Sequence, residues 1–216
     1  MSVTAKICGI NDPEAMRAAI SGGASHVGLV FYPPSPRAVN PGEAMALATV
    51  VPERIQKVGL FVDPEDEQID KTLFVVKLDL LQLHGDETPE RVRDLKQRTG
   101  KKVMKVIKVS EASDIARAEA YVRIADALMF DAKPPPGMKN ALPGGNAVSF
   151  DWRILSGHKW PLPWMLAGGL HAGNVAEAVA LSDAAIVDTS SGVEDAPGRK
   201  NVEKIAAFLG AVAEIR

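Results

Sequence analysis

The feature that most constrains this fold is an alternation of short apolar runs with helix-like segments along the 216-residue chain. Most runs are continuously apolar, as expected for strands that are covered on both faces in a parallel sheet. They lie near residues 5–10, 26–31, 58–62, 80–84, 103–109, 127–131, 164–167 and 185–188. Eight strands, each followed by a helix or helix-like segment, predict a single compact (β/α)8 TIM barrel over residues 1–216.

Recognisable helix starts and stops separate the predicted strands. Asp12, Asp63 and Thr88 each precede a proline, which is typical of an N-cap followed by proline at the first helical position. Gly100 follows a polar helical stretch and predicts its end. A doubly wound open sheet is the alternative fold. It would carry a glycine-rich dinucleotide loop after an early strand, and the sequence has none there.

Composition and charge argue against several classes of function. The chain has 25 basic and 27 acidic residues, so it lacks the basic excess of nucleic-acid-binding proteins. Its single cysteine permits neither an internal disulfide nor a Cys-x-x-Cys zinc site. No apolar run reaches the roughly 18 residues of a membrane span, and residues 1–6 lack the profile of a signal peptide.

These observations predict a cytoplasmic protein with no nucleic-acid or membrane partner. The helix surfaces show no obvious apolar stripe, which favours a monomer, with a homodimer as the alternative.

Polar side chains are found where the predicted strands end, which is the face that holds the active site in a (β/α)8 barrel. They are Cys8, Arg37, Gln82, His84, Asp131 and Asp188. Arg37 can present a planar fork to a carboxylate, and His84 suits acid–base chemistry or a substrate contact. Asp131 ends an apolar strand, a setting that favours a neutral carboxyl and hence a general acid. A buried hydrophobic role for Cys8 and a loop-ordering role for Asp131 remain alternatives.

The loops after the last two predicted strands suit a phosphate group. Gly168 and Gly169 follow the seventh strand, and Ser190, Ser191 and Gly192 follow the eighth. Such small residues expose backbone N–H groups, and these two loops often bind phosphate in this fold. Ordinary turns are the alternative interpretation. The irregular segment 132–146, after the sixth strand, is a candidate active-site lid or a tolerated surface insertion.

Taken together, these segments resemble the phosphoribosylanthranilate isomerase family, the cofactor-free (β/α)8 enzymes of tryptophan biosynthesis. The resemblance runs from end to end. Its motifs include KICG at residues 6–9, GLVF at 28–31, SPR at 35–37, LQLHG at 81–85, FDAK at 130–133, LAGGL at 166–170 and VDTSSGVE at 187–194. Their joint order in one chain is specific to that family.

The resemblance implies an Amadori rearrangement of N-(5'-phosphoribosyl)anthranilate, with Cys8 as general base and Asp131 as general acid. Arg37 would bind the anthranilate carboxylate. Further substrate contacts would come from Gln82, His84 and Asp188, and phosphate contacts from Gly168, Gly169, Ser190, Ser191 and Gly192. No metal or redox cofactor is implied, because the iminium intermediate is itself the electron sink. The base must be a thiolate, and Lys6, which shares a strand face with Cys8, is a candidate to lower the thiol pKa.

Three other barrel proteins are alternatives to this assignment. A histidine-pathway phosphosugar isomerase would carry aspartate in place of Cys8, and indole-glycerol-phosphate synthase would carry lysine–glutamate pairs that the strands lack. A non-catalytic phosphate-binding barrel would keep the two C-terminal loops without needing Cys8 and Asp131 together. The chain departs from the family at Asn146, where a Thr-Gly-like continuation is expected. Whether the 132–146 loop contacts the phosphate therefore stays an open question.

Overall fold

Eight parallel strands close into a barrel in the computed structural model, which describes residues 2–138 and 142–215. They are β1 (Thr4–Ile7), β2 (His26–Val30), β3 (Gln56–Phe61), β4 (Leu80–Leu83), β5 (Lys102–Val109), β6 (Ala127–Ala132), β7 (Trp164–Leu166) and β8 (Ile186–Thr189). β8 pairs back with β1, where Lys6 is the partner of Asp188. The predicted (β/α)8 barrel is confirmed, and every predicted strand overlaps an observed one.

Helices connect most of the strands. They are α1 (Pro13–Ser21), α2 (Pro41–Thr49), α3 (Asp66–Val75), α4 (Pro89–Thr99), α5 (Ala112–Ile115), α6 (Val175–Ser182) and α7 (Val202–Ala213). A 3-10 turn at Ala116–Ala120 extends α5, and a 3-10 turn at Trp152–Leu155 precedes β7. Within the part of the chain that the structure describes, no helix is long and apolar enough to cross a membrane.

Most of the predicted helix ends are observed. Asp12 and Thr88 accept hydrogen bonds from backbone N–H groups in the first turns of α1 and α4, and Gly100 ends α4 with a left-handed φ of 64°. The cap predicted at Asp63 is wrong, because α3 begins three residues later. The Asp63 carboxylate instead accepts a hydrogen bond from the backbone N–H of Asp86 at 2.7 Å, so it ties together the loops after β3 and β4.

The barrel interior is apolar near the strand starts and becomes polar towards the strand ends. The apolar cluster consists of Val58, Leu80, Met104, Val106, Ala127, Met129, Met165 and Ala167. Lys6 in β1 and Cys8 directly after it lie on the inner side of the barrel, opposite a glycine in β2. A Cβ at Gly28 would lie 2.8 Å from Cys8 Sγ and 3.2 Å from Lys6 Nζ, so only glycine leaves space for both side chains.

A short antiparallel hairpin follows the last barrel strand. After one 3-10 turn (Ser191–Val193), β9 (Glu194–Ala196) pairs with β10 (Arg199–Lys200). A Cβ at Gly198 would collide with the carbonyl oxygen of Pro36. The hairpin therefore packs directly on the loop that carries Arg37.

Candidate active site

A cavity opens where the barrel strands end, and it brings together all but one of the predicted site residues. Its lining includes Cys8, Arg37, Gln82, His84, Asp131, Gly168, Gly169, Asp188, Ser190 and Ser191. Gly192 does not line it. A Cβ there would collide with the carbonyl oxygen of Leu170 and lie 2.8 Å from Thr189 Oγ1. Gly192 thus allows the loops after β7 and β8 to pack closely.

Cys8 and Asp131 face this cavity from different sides. Cys8 directly follows β1, and its backbone N–H donates to the carbonyl oxygen of Thr189 at 2.8 Å. Asp131 lies in β6, three strands away around the closed barrel. The two residues are only 4% and 6% exposed. A thiol and a carboxyl placed in this way can act on two different atoms of one bound molecule.

Lys6 supplies a buried positive charge beside Cys8. Its ammonium donates to Asp188 Oδ1 at 2.7 Å, and its side chain is fully buried. Burial alone would lower the pKa of Lys6, but Asp188 and Cys8 together outweigh it and raise the pKa above its ordinary value, so the ammonium stays protonated. Burial raises the pKa of the Cys8 thiol, and the Lys6 charge offsets part of that rise.

Asp131 accepts one backbone hydrogen bond and lies beside His84. Its Oδ1 accepts a hydrogen bond from the backbone N–H of Ala132 at 2.9 Å, and its Oδ2 lies 3.2 Å from His84 Nε2. Gln82 Nε2 lies 3.5 Å from His84 Nδ1. Within the described residues, neither Gln82 Oε1 nor His84 Nε2 has a partner with hydrogen-bond geometry. Because unpaired buried polar atoms are costly, these two are suited to polar groups of a bound molecule.

The described part of the candidate lid covers the Asp131 side of the cavity. Asn146 closes a turn, because its amide accepts from the backbone N–H of Leu142 at 3.0 Å and donates to the Leu142 carbonyl at 2.7 Å. A Cβ at Gly144 would lie 2.7 Å from Asp131 Oδ2 and 2.5 Å from His84 Cε1. Residues 139–141 of the candidate lid lie outside the described residues.

Arg37 is buried at the cavity wall. Its Nε and Nη2 atoms donate to the two carboxylate oxygens of Glu194, each at 2.8 Å. Nη2 also donates to the carbonyl oxygen of Gly145 at 3.1 Å. Among the described residues, Nη1 has no hydrogen-bond acceptor, so two N–H groups of the fork remain for a ligand.

Glu194 and Lys200 are buried partners of the cavity residues Arg37 and Ser190, and the sequence interpretation missed both. Lys200 Nζ donates to Glu194 Oε1 at 2.7 Å and to the carbonyl oxygen of Ser190 at 2.9 Å. Burial would raise the pKa of Glu194, but its bonds to Arg37 and Lys200 hold it below the usual range. Glu194 ends a recognised motif, yet nothing in the sequence pairs it with Arg37, 157 residues away. No motif points to Lys200.

Comparison with known proteins identifies the family. The family model described as N-(5'phosphoribosyl)anthranilate (PRA) isomerase matches residues 5–211. The chain belongs to this family. The N-(5'-phosphoribosyl)anthranilate isomerase of Paramagnetospirillum magneticum is 60% identical over 211 residues, which are 98% of this chain and 97% of that protein.

Solved phosphoribosylanthranilate isomerases share the whole fold. The enzyme of Thermotoga maritima aligns with a TM-score of 0.86 and 34% identity, over 97% of this chain and 98% of its own. A phosphoribosyl anthranilate isomerase in complex with reduced 1-(o-carboxyphenylamino)-1-deoxyribulose 5-phosphate aligns with a TM-score of 0.83 and 32% identity, with the same coverage. The predicted family resemblance is confirmed.

Proposed function

We propose that Cys8 and Asp131 are the general base and the general acid of the N-(5'-phosphoribosyl)anthranilate isomerisation that the chain performs in tryptophan biosynthesis. The observation that carries this assignment is the placement of the buried Cys8 thiol and the buried Asp131 carboxyl on opposed parts of a single cavity, whereas the second buried carboxyl there, Asp188, is paired with Lys6. In acid–base catalysis each group must reach its own atom of the substrate, and two separated strands provide that spacing.

The reaction begins with proton transfer from Asp131 to the ribose ring oxygen. The C1'–O bond breaks, and the lone pair of the anthranilate nitrogen forms the C1'–N double bond of an iminium. The Cys8 thiolate then removes the C2' proton, and the electrons of the C–H bond neutralise the iminium to give an enolamine. The enolamine gains a proton at C1' and loses one from the 2'-hydroxyl, which yields the ketone product.

Substrate binding uses the remaining cavity residues. Arg37 binds the anthranilate carboxylate through its free Nη1 edge, and Gly168, Gly169, Ser190 and Ser191 bind the phosphate. Lys200 supports this second site, because its ammonium lies directly behind Ser190 and adds positive charge next to a dianion. Gln82 Oε1 and His84 Nε2, both without partners among the described residues, are available to the sugar hydroxyl groups, as is Asp188.

An activity assay tests the function. The purified chain should convert freshly prepared N-(5'-phosphoribosyl)anthranilate into 1-(2-carboxyphenylamino)-1-deoxyribulose 5-phosphate, followed by chromatography. Turnover of the histidine-pathway substrate alone would contradict the proposal. Binding of the reduced product analogue without turnover would equally contradict it, because that result describes a non-catalytic phosphate-binding barrel.

The charges around Cys8 predict the direction in which its pKa moves in two variants. Lys6→Met removes the positive charge that favours the thiolate, so the thiol pKa should rise further. Asp188→Asn removes a negative charge and leaves the thiolate as the counterion of Lys6, so the pKa should fall. Ultraviolet absorbance of the thiolate against pH measures this directly, because Cys8 is the only cysteine.

The same titration includes a control. Lys57→Met removes a lysine that pairs with Asp79 at 2.9 Å, and it should leave the thiol titration where it was. Shifts of the same sign in the Lys6 and Asp188 variants would refute the assignment of Lys6 as the activating charge.

Two expectations from the sequence stay predictions. We propose that the chain works as a monomer and that it acts in the cytoplasm.

A further inference from the structure

We propose that Glu194 is a positioning residue that orients Arg37 and thereby makes the site selective for a substrate with a carboxylate on its aromatic ring. The inference rests on the proposed function, in which Arg37 binds that carboxylate. Glu194 has no place among the groups that the reaction steps use, and it is not among the residues that line the cavity.

Glu194 determines which edge of Arg37 a ligand can meet. A guanidinium offers two edges for bidentate pairing, one formed by Nε and Nη2 and the other by the two Nη atoms. Glu194 occupies the first edge with two bonds of 2.8 Å, and both side chains are nearly inaccessible to solvent. On the second edge Nη2 donates to the carbonyl oxygen of Gly145, so a ligand meets the two N–H groups of Nη1. The guanidinium plane is therefore held in place before a ligand arrives, which reduces the entropy lost on binding.

The same carboxylate joins the arginine to the loop proposed for phosphate. Glu194 Oε1 accepts from both Arg37 Nε and Lys200 Nζ, and Lys200 Nζ donates to the carbonyl oxygen and the Oγ of Ser190. This chain of contacts fixes the distance between Arg37, which binds the carboxylate, and the Ser190 loop, which binds the phosphate. Without the negative charge of Glu194, the buried cations Arg37 and Lys200 would face each other.

The substitution Glu194→Gln tests the proposal. Glutamine keeps one oxygen for Lys200 but replaces the second acceptor of Arg37 with an N–H donor, so the fork loses its bidentate partner. We measure calorimetric binding of two phosphorylated ligands, the reduced product analogue and its counterpart with an unsubstituted phenylamino group. The ratio of the two dissociation constants reports the preference for the carboxylate.

In the native enzyme the carboxylate ligand should bind more tightly, and Glu194→Gln should reduce that preference by about 10-fold. Binding of the phenylamino ligand should change little. KM should rise more than kcat falls, because Cys8 and Asp131 are untouched. The control is Asp195→Asn in the same hairpin, an exposed residue paired with Lys204 at 3.0 Å, and it should leave the preference unchanged.

Equal weakening of both ligands by Glu194→Gln would show a merely structural role and would overturn the inference. If that variant does not fold, Glu194→Asp, which keeps the charge but is too short to hold both nitrogen atoms, should show a smaller loss of preference. An unchanged carboxylate preference in Glu194→Asp would also overturn the inference.

Arg37→Lys separates this inference from the proposed function. A preserved carboxylate preference in Arg37→Lys would contradict the role given to Arg37 itself. If the carboxylate preference is lost in Arg37→Lys but fully kept in Glu194→Gln, the proposed function stands and the role of Glu194 is refuted.

Discussion

Cys8→Ser is expected to lower kcat by about 10²–10⁴-fold, the usual contribution of a general base. Serine nearly matches cysteine in size, so the cavity keeps its shape, but a hydroxyl is far less acidic than a thiol and cannot take the role of the thiolate. Steady-state kinetics with N-(5'-phosphoribosyl)anthranilate measure the loss. Calorimetry with the reduced product analogue should show nearly unchanged affinity, because Cys8 acts on a proton rather than on ligand binding.

Val30→Ala provides the control for Cys8→Ser. Val30 lies in the same small cluster as Cys8 and also lines the cavity. Its truncation disturbs packing without removing the thiol, so kcat should fall by much less than in Cys8→Ser. Near-normal turnover in Cys8→Ser would refute the assignment of the base.

The barrel itself follows from patterns that are local in the sequence. Most strands are short, largely apolar runs, and Asp12 and Thr88 cap their helices with side chains that belong to the same turn. Asp63 has the same local pattern before a proline, but its carboxylate is bound to the backbone of Asp86, which belongs to another loop. A tertiary contact of this kind overrides a local preference and has no signal in the neighbouring residues.

The list of cavity residues was predictable for a geometric reason. Strand ends of a parallel barrel meet on one face, so Cys8, Gln82 and Asp131 had to converge once their strands were assigned. The electrostatic state of the site was not predictable. Lys6 shares a face with Cys8, as expected, but its Asp188 partner and the burial of the thiol decide how far its charge lowers the pKa.

The hydrogen-bond partners of Arg37 were even less predictable from the sequence. The sequence predicts that Arg37 presents its planar fork to a carboxylate, and the side chain does lie on the cavity wall. The bidentate partner Glu194 and the linked Lys200 lie on a hairpin after the last barrel strand. Their meeting depends on how that hairpin packs on the Arg37 loop, which no spacing in the sequence encodes.

Asp131→Asn is expected to lower kcat by about 10²–10⁴-fold as well. Asparagine has the same shape and can still accept the backbone N–H of Ala132, but it has no proton to give to the ring oxygen. Asp126→Asn is the matched control. Asp126 lies at the opposite end of β6 and pairs with Lys96 at 2.7 Å, so its loss should affect stability and leave kcat near the native value.

A substrate deuterated at C2' distinguishes the two catalytic roles, because the two variants should slow different steps. In Cys8→Ser the breaking of the C2'–H bond limits turnover, so kcat should show a primary isotope effect. In Asp131→Asn the ring opening comes first and limits turnover, so deuterium at C2' should have almost no effect on kcat. The reverse pattern would exchange the two assignments, and an isotope effect of equal size in both variants would mean that Asp131 does not act at the ring oxygen.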